Sequence, residues 1–486
     1  MISKIRPLGR ALALAASLVP PLAVAADSAA RPNILFIAYD DLKPLLGAYG
    51  APLVQSPPID ALPARGALFL NAACQFPVCG PSRASLLTGQ RPETTGVLDL
   101  KTKMRDVNPA VVTLPQHFKD HGYTTAGIGK IFDPRCVDSR QQGDAPSWSI
   151  PYAERPRFGV AEVEDAKGGE DGGKAATGNF DAPDEAFPDG NIARQAIGQL
   201  RQLAEAKQPF FLAVGFKKPH LPFVAPKRHW DRYDRAAIPL APFQEQAEGN
   251  SGYGYWNSNE MRGYGDNPKT GRFPDDLQRE LIHGYLACVS WVDELTGRLL
   301  AELDQLGLRD NTIIVLWGDH GFHLGDHGLW GKHTPFEQAI RSPLIIVDPR
   351  VGRAQRVASP VEFIDIFPTL CELSGLPSPA QLQGVSLAAT LRDGSIAARH
   401  ASTAIYKSRG AFGYSVRTER YRFIQWVETK NARAVGRDLF DLEQDPQGRR
   451  NLAEDPAYAT VVREMAELLA ANSRGWTLLE RHLTEK

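Results

Sequence analysis

Five short and almost wholly apolar runs constrain the fold most: NILFIAY (33–39), TTAGIG (124–129), FFLAVGF (210–216), TIIVLW (312–317) and PLIIV (343–347). None alternates polar with apolar residues as a half-exposed strand does. A run this short and this apolar reads as a strand buried on both faces. Amphipathic stretches lie between the runs. NIARQAIGQLRQL places Ile192, Ala196, Leu200 and Leu203 at helical spacing, and residues 278–305 step through Leu281, Tyr285, Cys288, Val292, Leu295 and Leu299. Buried strands alternating with such helices predict an α/β fold, a large and mostly parallel sheet flanked by helices on both faces.

The two ends of the chain read differently. Lys4, Arg6 and Arg10 precede the apolar stretch ALALAASLV, and Ala23-Val24-Ala25 offers a cleavage site. Residues 1–25 therefore read as an export signal, too short to span a bilayer, and the mature protein as periplasmic or secreted. At the other end, FGYSVRTERYRFIQWVE and ARAVGRDLFDLEQDP suggest antiparallel strands and ATVVREMAELLAAN a helix. The expected organisation is a main unit over 26–400 and a small α+β subdomain over 401–486. Residues 161–190 and 243–275 are rich in Gly and polar side chains and read as exposed loops, the second carrying Tyr253, Tyr255 and Trp256 either to cover the core or to stack on a sugar.

Charge is balanced, with 55 Lys+Arg against 56 Asp+Glu, so nothing global attracts nucleic acid or a membrane surface. Recognition of an anion must be local. The five cysteines are an odd number, so at least one is unpaired or modified in an oxidising compartment.

In open α/β sheets, ligands bind beyond the carboxyl ends of the strands. Asp40 and Asp41 follow the first run, Lys130 the second, Lys217, Lys218 and His220 the third, and Asp319 and His320 the fourth. Four strands thus deliver ionisable groups to one edge. Asp40, Asp41 and Asp319 together suggest a divalent cation, because bare carboxylates held close repel. Oxygen-rich ligation favours Ca²⁺, then Mg²⁺, over zinc. His320 reads as a ligand, and His323 and His327 as loop residues. In FPVCGPSRASLLTGQRP (76–92), Cys79 precedes a helix start, where unpaired N–H groups favour an anion; it reads as a buried small side chain or as a nucleophile with Arg83 as an anion clamp. Lys130, Lys218, His220, Lys332 and Arg83 add positive charge. The set suits metal-assisted hydrolysis of an anionic ester, phosphate or sulfate.

The stretch CGPSRASLLTG resembles the Cys-x-Pro-Ser-Arg-(x)₄-Thr-Gly signature of the formylglycine-dependent sulfatases in the alkaline phosphatase superfamily. The resemblance runs from about residue 31 to 455, and DDLKPLLGAYG, RPETTGVLDL, PSWS and KKPHLPF place it nearest the iduronate-2-sulfatase branch. It implies that a maturation enzyme oxidises Cys79 to formylglycine, whose hydrate attacks sulfur. It further implies that Asp40, Asp41, Asp319, His320 and the modified Cys79 hold Ca²⁺. Arg83 and Lys130 would stabilise the hydrate, with Asp319 a candidate to take the attacking hydroxyl's proton. His220 and Lys332 would contact sulfate, with Lys218 beside them and His220 the acid for the leaving alcohol. One position departs from the branch, which reads Gly-Lys-x-Phe-His: here the stretch is GKIFDP, so that Asp133 either is the base, yields that role to another group, or slows turnover. The implied substrate is a sulfated oligosaccharide or polysaccharide, a terminal 2-O-sulfated uronate in this branch. The alternatives are a phosphonate monoester or phosphodiester hydrolase of the same superfamily, and a non-catalytic glycan-binding relative.

Overall fold

The computed structural model describes residues 31–139, 143–158, 174–265, 267–351, 353–394, 401–472, 474 and 476–484. The stretch read as an export signal lies outside them. No helix among the described residues is long and apolar enough to cross a membrane.

Seven strands form the central sheet: β1 (Asn33–Asp40), β2 (Ala67–Phe69), β3 (Thr124–Gly129), β4 (Phe210–Pro219), β5 (Thr312–Gly318), β6 (Leu344–Val347) and β7 (Gln355–Val357), in the order β7-β2-β6-β5-β1-β4-β3. All five apolar runs are strands. β1 pairs in parallel with both β4 and β5, and β3 in parallel with β4. The run at 343–347 is the exception to the parallel expectation, because β6 lies antiparallel to β5 and β2. Burial on both faces makes parallel and antiparallel central strands equally apolar, so composition does not separate them. β2 and β7 are three residues each, too short to show a period.

β1 shows why the runs are unbroken. Ile34, Phe36 and Ala38 enter one core, while Leu35, Ile37 and Tyr39 enter the other, all fully buried. Each large side chain so buried contributes about 1.5–3 kcal/mol. The second of these faces is covered by α2 (Pro188–Ala206) and α3 (Asp275–Gln305); on the other face lies α1 (Cys79–Thr88), followed by α4 (Ile366–Leu373).

Toward the C-terminus, β8 (Ser402–Ser408), β9 (Ala411–Arg417), β10 (Tyr421–Glu428) and β11 (Ala434–Asp441) form a separate antiparallel sheet, with α5 (Ala459–Ala471) against its core. Glu362 ties the main unit to this C-terminal sheet. Its carboxylate accepts from Arg91 at 3.2 and 3.0 Å and from the backbone N–H of Thr403 at 2.6 Å.

The two polar segments are more ordered than loops. Within 161–190, Thr177–Phe180 pairs in parallel with Phe223–Pro226, and α2 begins at Pro188; residues 161–173 lie outside the described set. Within 243–275, Asn259–Arg262 is a helical turn, Tyr253 stacks on Trp426 and Tyr255 packs on Phe336. Those two aromatics cover the core, and Trp256 lines the cleft described next.

Candidate active site

The parallel strands end along one edge, and the ionisable residues after them meet there. Asp40 is the last residue of β1, and Asp41 follows in left-handed backbone (φ 64°), a conformation Asp tolerates better than most residues and one that concentrates at functional sites. Its backbone N–H donates to Asp319 Oδ1 at 3.0 Å. Lys130 follows β3 where the neighbouring chain is very close: a Cβ on Gly215 would lie 2.1 Å from the Lys130 carbonyl, and one on Gly129 (φ 75°) 2.1 Å from the Gly215 carbonyl. Only glycine fits either place.

Cys79 is the first residue of α1, which ends at Gly89 in left-handed backbone (φ 65°) as the spacing predicts. Every residue of the helix is buried. Cys79 Sγ lies 3.4 Å from His320 Nε2, 3.6 Å from Lys332 Nζ and 3.9 Å from Asp41 Oδ1. Burial first, and Asp40 next, push the thiol well above its ordinary pKa. A thiol held protonated is a poor nucleophile.

Lys332 Nζ donates to both oxygens of Asp41, at 2.8 and 2.9 Å, and sits 3.3 Å from Glu260. Burial opposes its charge, but Asp41 first and Glu260 after it outweigh burial and keep the ammonium protonated. Lys130 Nζ lies 2.6 Å from Asp40. For Asp40, burial is outweighed by Lys130, His220 and Arg83, which hold its carboxyl well below the usual range. Asp319 is raised, by burial foremost and by Asp40 against the pull of His320 and Arg83.

Arg83 does not face the cleft as the anion clamp its motif suggested. It is fully buried behind the carboxylates, donating to Asp319 Oδ2 at 2.9 Å, to the carbonyls of Ile131 and Tyr39 at 3.0 and 3.2 Å, and to the Lys130 carbonyl, with Asp40 at 3.4 Å. It fixes the acidic cluster from beneath. His220 Nδ1 meets the carbonyl of Leu221 at 2.7 Å and must carry the proton there, which turns Nε2 toward Glu260 at 3.3 Å and Asp41 at 3.8 Å. Lys218 lines the cleft, but its ammonium donates to the carbonyls of His220 and Pro222. His323 bonds to Thr334 and the Asp326 carbonyl, from a two-residue strand, His323–Leu324, and not from the loop expected.

Asp133 is gripped by Arg135, whose Nε and Nη2 reach its two oxygens at 2.9 and 2.8 Å, with Lys130 at 3.7 Å. Burial raises this carboxyl, but the Arg135 hydrogen bonds and Lys130 win and bring it down to about 2.

Asp40, Cys79, Lys130, Asp133, Arg135, Lys218, His220, Glu260 and Lys332 line one cleft of about 840 Å³ between the sheet edge and the segments around 154–155, 256–260 and 332–333, with Tyr406 of the C-terminal sheet at its margin, while Asp41, Asp319, His320 and Arg83 are fully buried and do not line it. Glu260 and Arg135 escape sequence reading. Glu260 lies in a single helical turn, Asn259–Arg262, within a polar segment that has no period or motif. Arg135 carried one local signal, its place two residues after Asp133, where a backbone N–H to carboxylate turn forms (3.0 Å).

Carboxylate oxygens of Asp40, Asp41 and Asp319 lie within 4.8 Å of one another, and Asp41, Cys79 and His320 form an overlapping group. Three buried carboxylates, one of them raised by burial foremost and then by Asp40, fit a hard divalent cation.

The family model described as Sulfatase matches residues 32–376, and one described as N-sulphoglucosamine sulphohydrolase, C-terminal, matches residues 325–474. Iduronate 2-sulfatase of Homo sapiens is 37% identical over 386 residues, covering 71% of this chain and 70% of its own. Two solved structures share the fold at TM-score 0.73. One, in complex with its substrate D-glucosamine-2-N,6-O-disulfate, is 24% identical and covers 92% of this chain and 98% of its own. The other, a phosphonate monoester hydrolase from Silicibacter pomeroyi, is 23% identical and covers 91% and 95%.

Proposed function

Because the chain belongs to the sulfatase family and its reaction is hydrolysis of sulfate esters, we propose that it is an exported exo-sulfatase that removes the 2-O-sulfate from a terminal uronate of a sulfated glycan. The observation that carries the chemistry is the position of Cys79, at a helix N-terminus and within 3.9 Å of Asp41, His320 and Lys332. Its thiol is the wrong nucleophile for this place. The reading therefore takes Cys79 as the precursor of formylglycine, made by a maturation enzyme, which supplies a hydroxyl nucleophile. Asp40, Asp41, Asp319, His320 and residue 79 would hold a Ca²⁺ ion, which would supply Lewis-acid polarisation of a sulfate oxygen; Mg²⁺ would suit the same donors less well.

The chain's own groups do the rest. Arg83 locks Asp40 and Asp319 in place. Lys130 and Lys332 present fixed positive charge to the cleft, where charge develops during ester cleavage. His220 offers Nε2 as the proton donor to the leaving alcohol, since Nδ1 is committed to Leu221. Asp133, ion-paired and far below its ordinary pKa, is a weak base at neutral pH, so its part is to hold Arg135. The uronate assignment draws on the likeness to iduronate 2-sulfatase.

The test is a set of oligosaccharides sulfated at single positions, with aryl phosphate and phosphonate esters in parallel. The expected result is sulfate release from the terminal 2-O-sulfated uronate. Preference for 6-O-sulfated hexosamine or for internal sulfates overturns the substrate assignment, and faster phosphonate turnover supports the second reading that the shared fold with a phosphonate monoester hydrolase brings in.

A further inference from the structure

Lys217 and Lys218 are the cleft cations nearest in sequence to His220, and neither is free for a second anion. Lys217 Nζ lies 2.9 Å from Glu154 Oε1, and Lys218 Nζ is spent on two carbonyls. Arg135 differs. It lines the same cleft with its side chain 49% exposed, and only Asp133 bonds to it among the described residues. Asp133 occupies Nε and one face of Nη2, so the Nη1 amino group and the outer N–H of Nη2 are left as donors.

The pairing is built, not incidental. The Asp133 side chain is fully buried, and its Oδ1 also accepts the backbone N–H of Arg135 at 3.0 Å, so the carboxylate fixes both the turn and the plane of the guanidinium. An arginine that served solubility alone needs no buried carboxylate to orient it. The side-chain freedom that binding would otherwise remove is already lost, which favours a planar two-point contact with an oxyanion. Position follows from the same contacts: Asp40, Lys130, Asp133 and Arg135 form a line of alternating charge, with steps of 2.6, 3.7 and 2.8 Å, running outward from the acidic cluster.

We propose that Arg135, held by Asp133, forms a subsite for a second oxyanion, carboxylate or sulfate, on the sugar that carries the reacting sulfate. This rests on the sulfatase reading above and specifies how the substrate is chosen. Arg135 is a recognition group; Asp133 positions it.

The experiment compares wild type, Arg135→Gln and Arg135→Lys on three substrates: a 2-O-sulfated uronate, the neutral sugar sulfated at the same position, and a disulfated hexosamine. The quantity read is the ratio of kcat/KM for each doubly anionic sugar to that for the neutral one. Arg135→Gln is expected to lower that ratio at least tenfold for one of the two, through KM, with Arg135→Lys intermediate. A drop on the uronate identifies a carboxylate as the ligand; a drop on the disulfated sugar identifies a sulfate. Ratios within twofold of wild type, or an equal loss on all three substrates, overturn the subsite. A wild-type enzyme that releases sulfate from none of them overturns the functional reading itself, and that is seen before any variant is compared.

Discussion

Asp133→Asn separates a base from a structural anion. The carboxyl sits at about 2 in the folded chain, against about 3.9 unfolded. That difference favours folding with the carboxylate ionised by at most about 2.5 kcal/mol, at about 1.4 kcal/mol per pKa unit. Half of Arg135 is in water, which screens the pair, so about 1–2 kcal/mol is the working figure. The folded pKa is depressed, so this stability is present above about pH 4 and is lost as pH falls toward 2. Unfolding free energies of wild type and Asp133→Asn from urea titration should therefore differ by that amount at pH 7 and converge in acid. Turnover of a neutral aryl sulfate should fall less than about tenfold, whereas loss of a general base costs about 10²–10⁴. A loss of kcat of a hundredfold or more with unchanged urea midpoints would refute the assignment and make Asp133 the base.

Three further outcomes are expected. Glu362→Ala leaves Arg91 buried without its carboxylate and unties Thr403, so it should cost about 3–5 kcal/mol in chemical denaturation, with the C-terminal sheet losing hydrogen-exchange protection first. Asp293 is pushed up to about 8, by burial first and by Asp60 after the Ile59 N–H pulls the other way, so wild type should lose stability as pH rises from about 4 to 8. Asp293→Asn should lose less stability than wild type over that window, and parallel urea curves for the two proteins contradict this. Removing divalent cations with a chelator should abolish sulfate release and lower the melting temperature, and Ca²⁺ should restore both; a chelated enzyme with full activity argues against the cation.

The five apolar runs were legible as strands because burial on both faces leaves almost no polar position in them, and none in alternation. Their common edge was legible too, since Asp40, Lys130 and Asp319 follow directly where those runs stop. The sense of β6 was not, because an antiparallel strand with both faces covered has the same composition. Arg83 shows a different limit. Its motif announces importance, but only the packed structure shows five partners around it beneath the carboxylates instead of an edge in the cleft. Glu260 comes within 3.3 Å of both His220 and Lys332 from a segment with no pattern of its own, and such long-range pairing leaves no local trace.

The most direct test of the account is the mass of residue 79. The full chain is produced with a formylglycine-generating enzyme and digested, and the peptide carrying CGPSRASLLTG is measured alongside sulfate release. An aldehyde is expected at position 79, in a fraction of molecules that tracks specific activity across preparations. Full activity from protein carrying only the cysteine thiol at position 79 would contradict it.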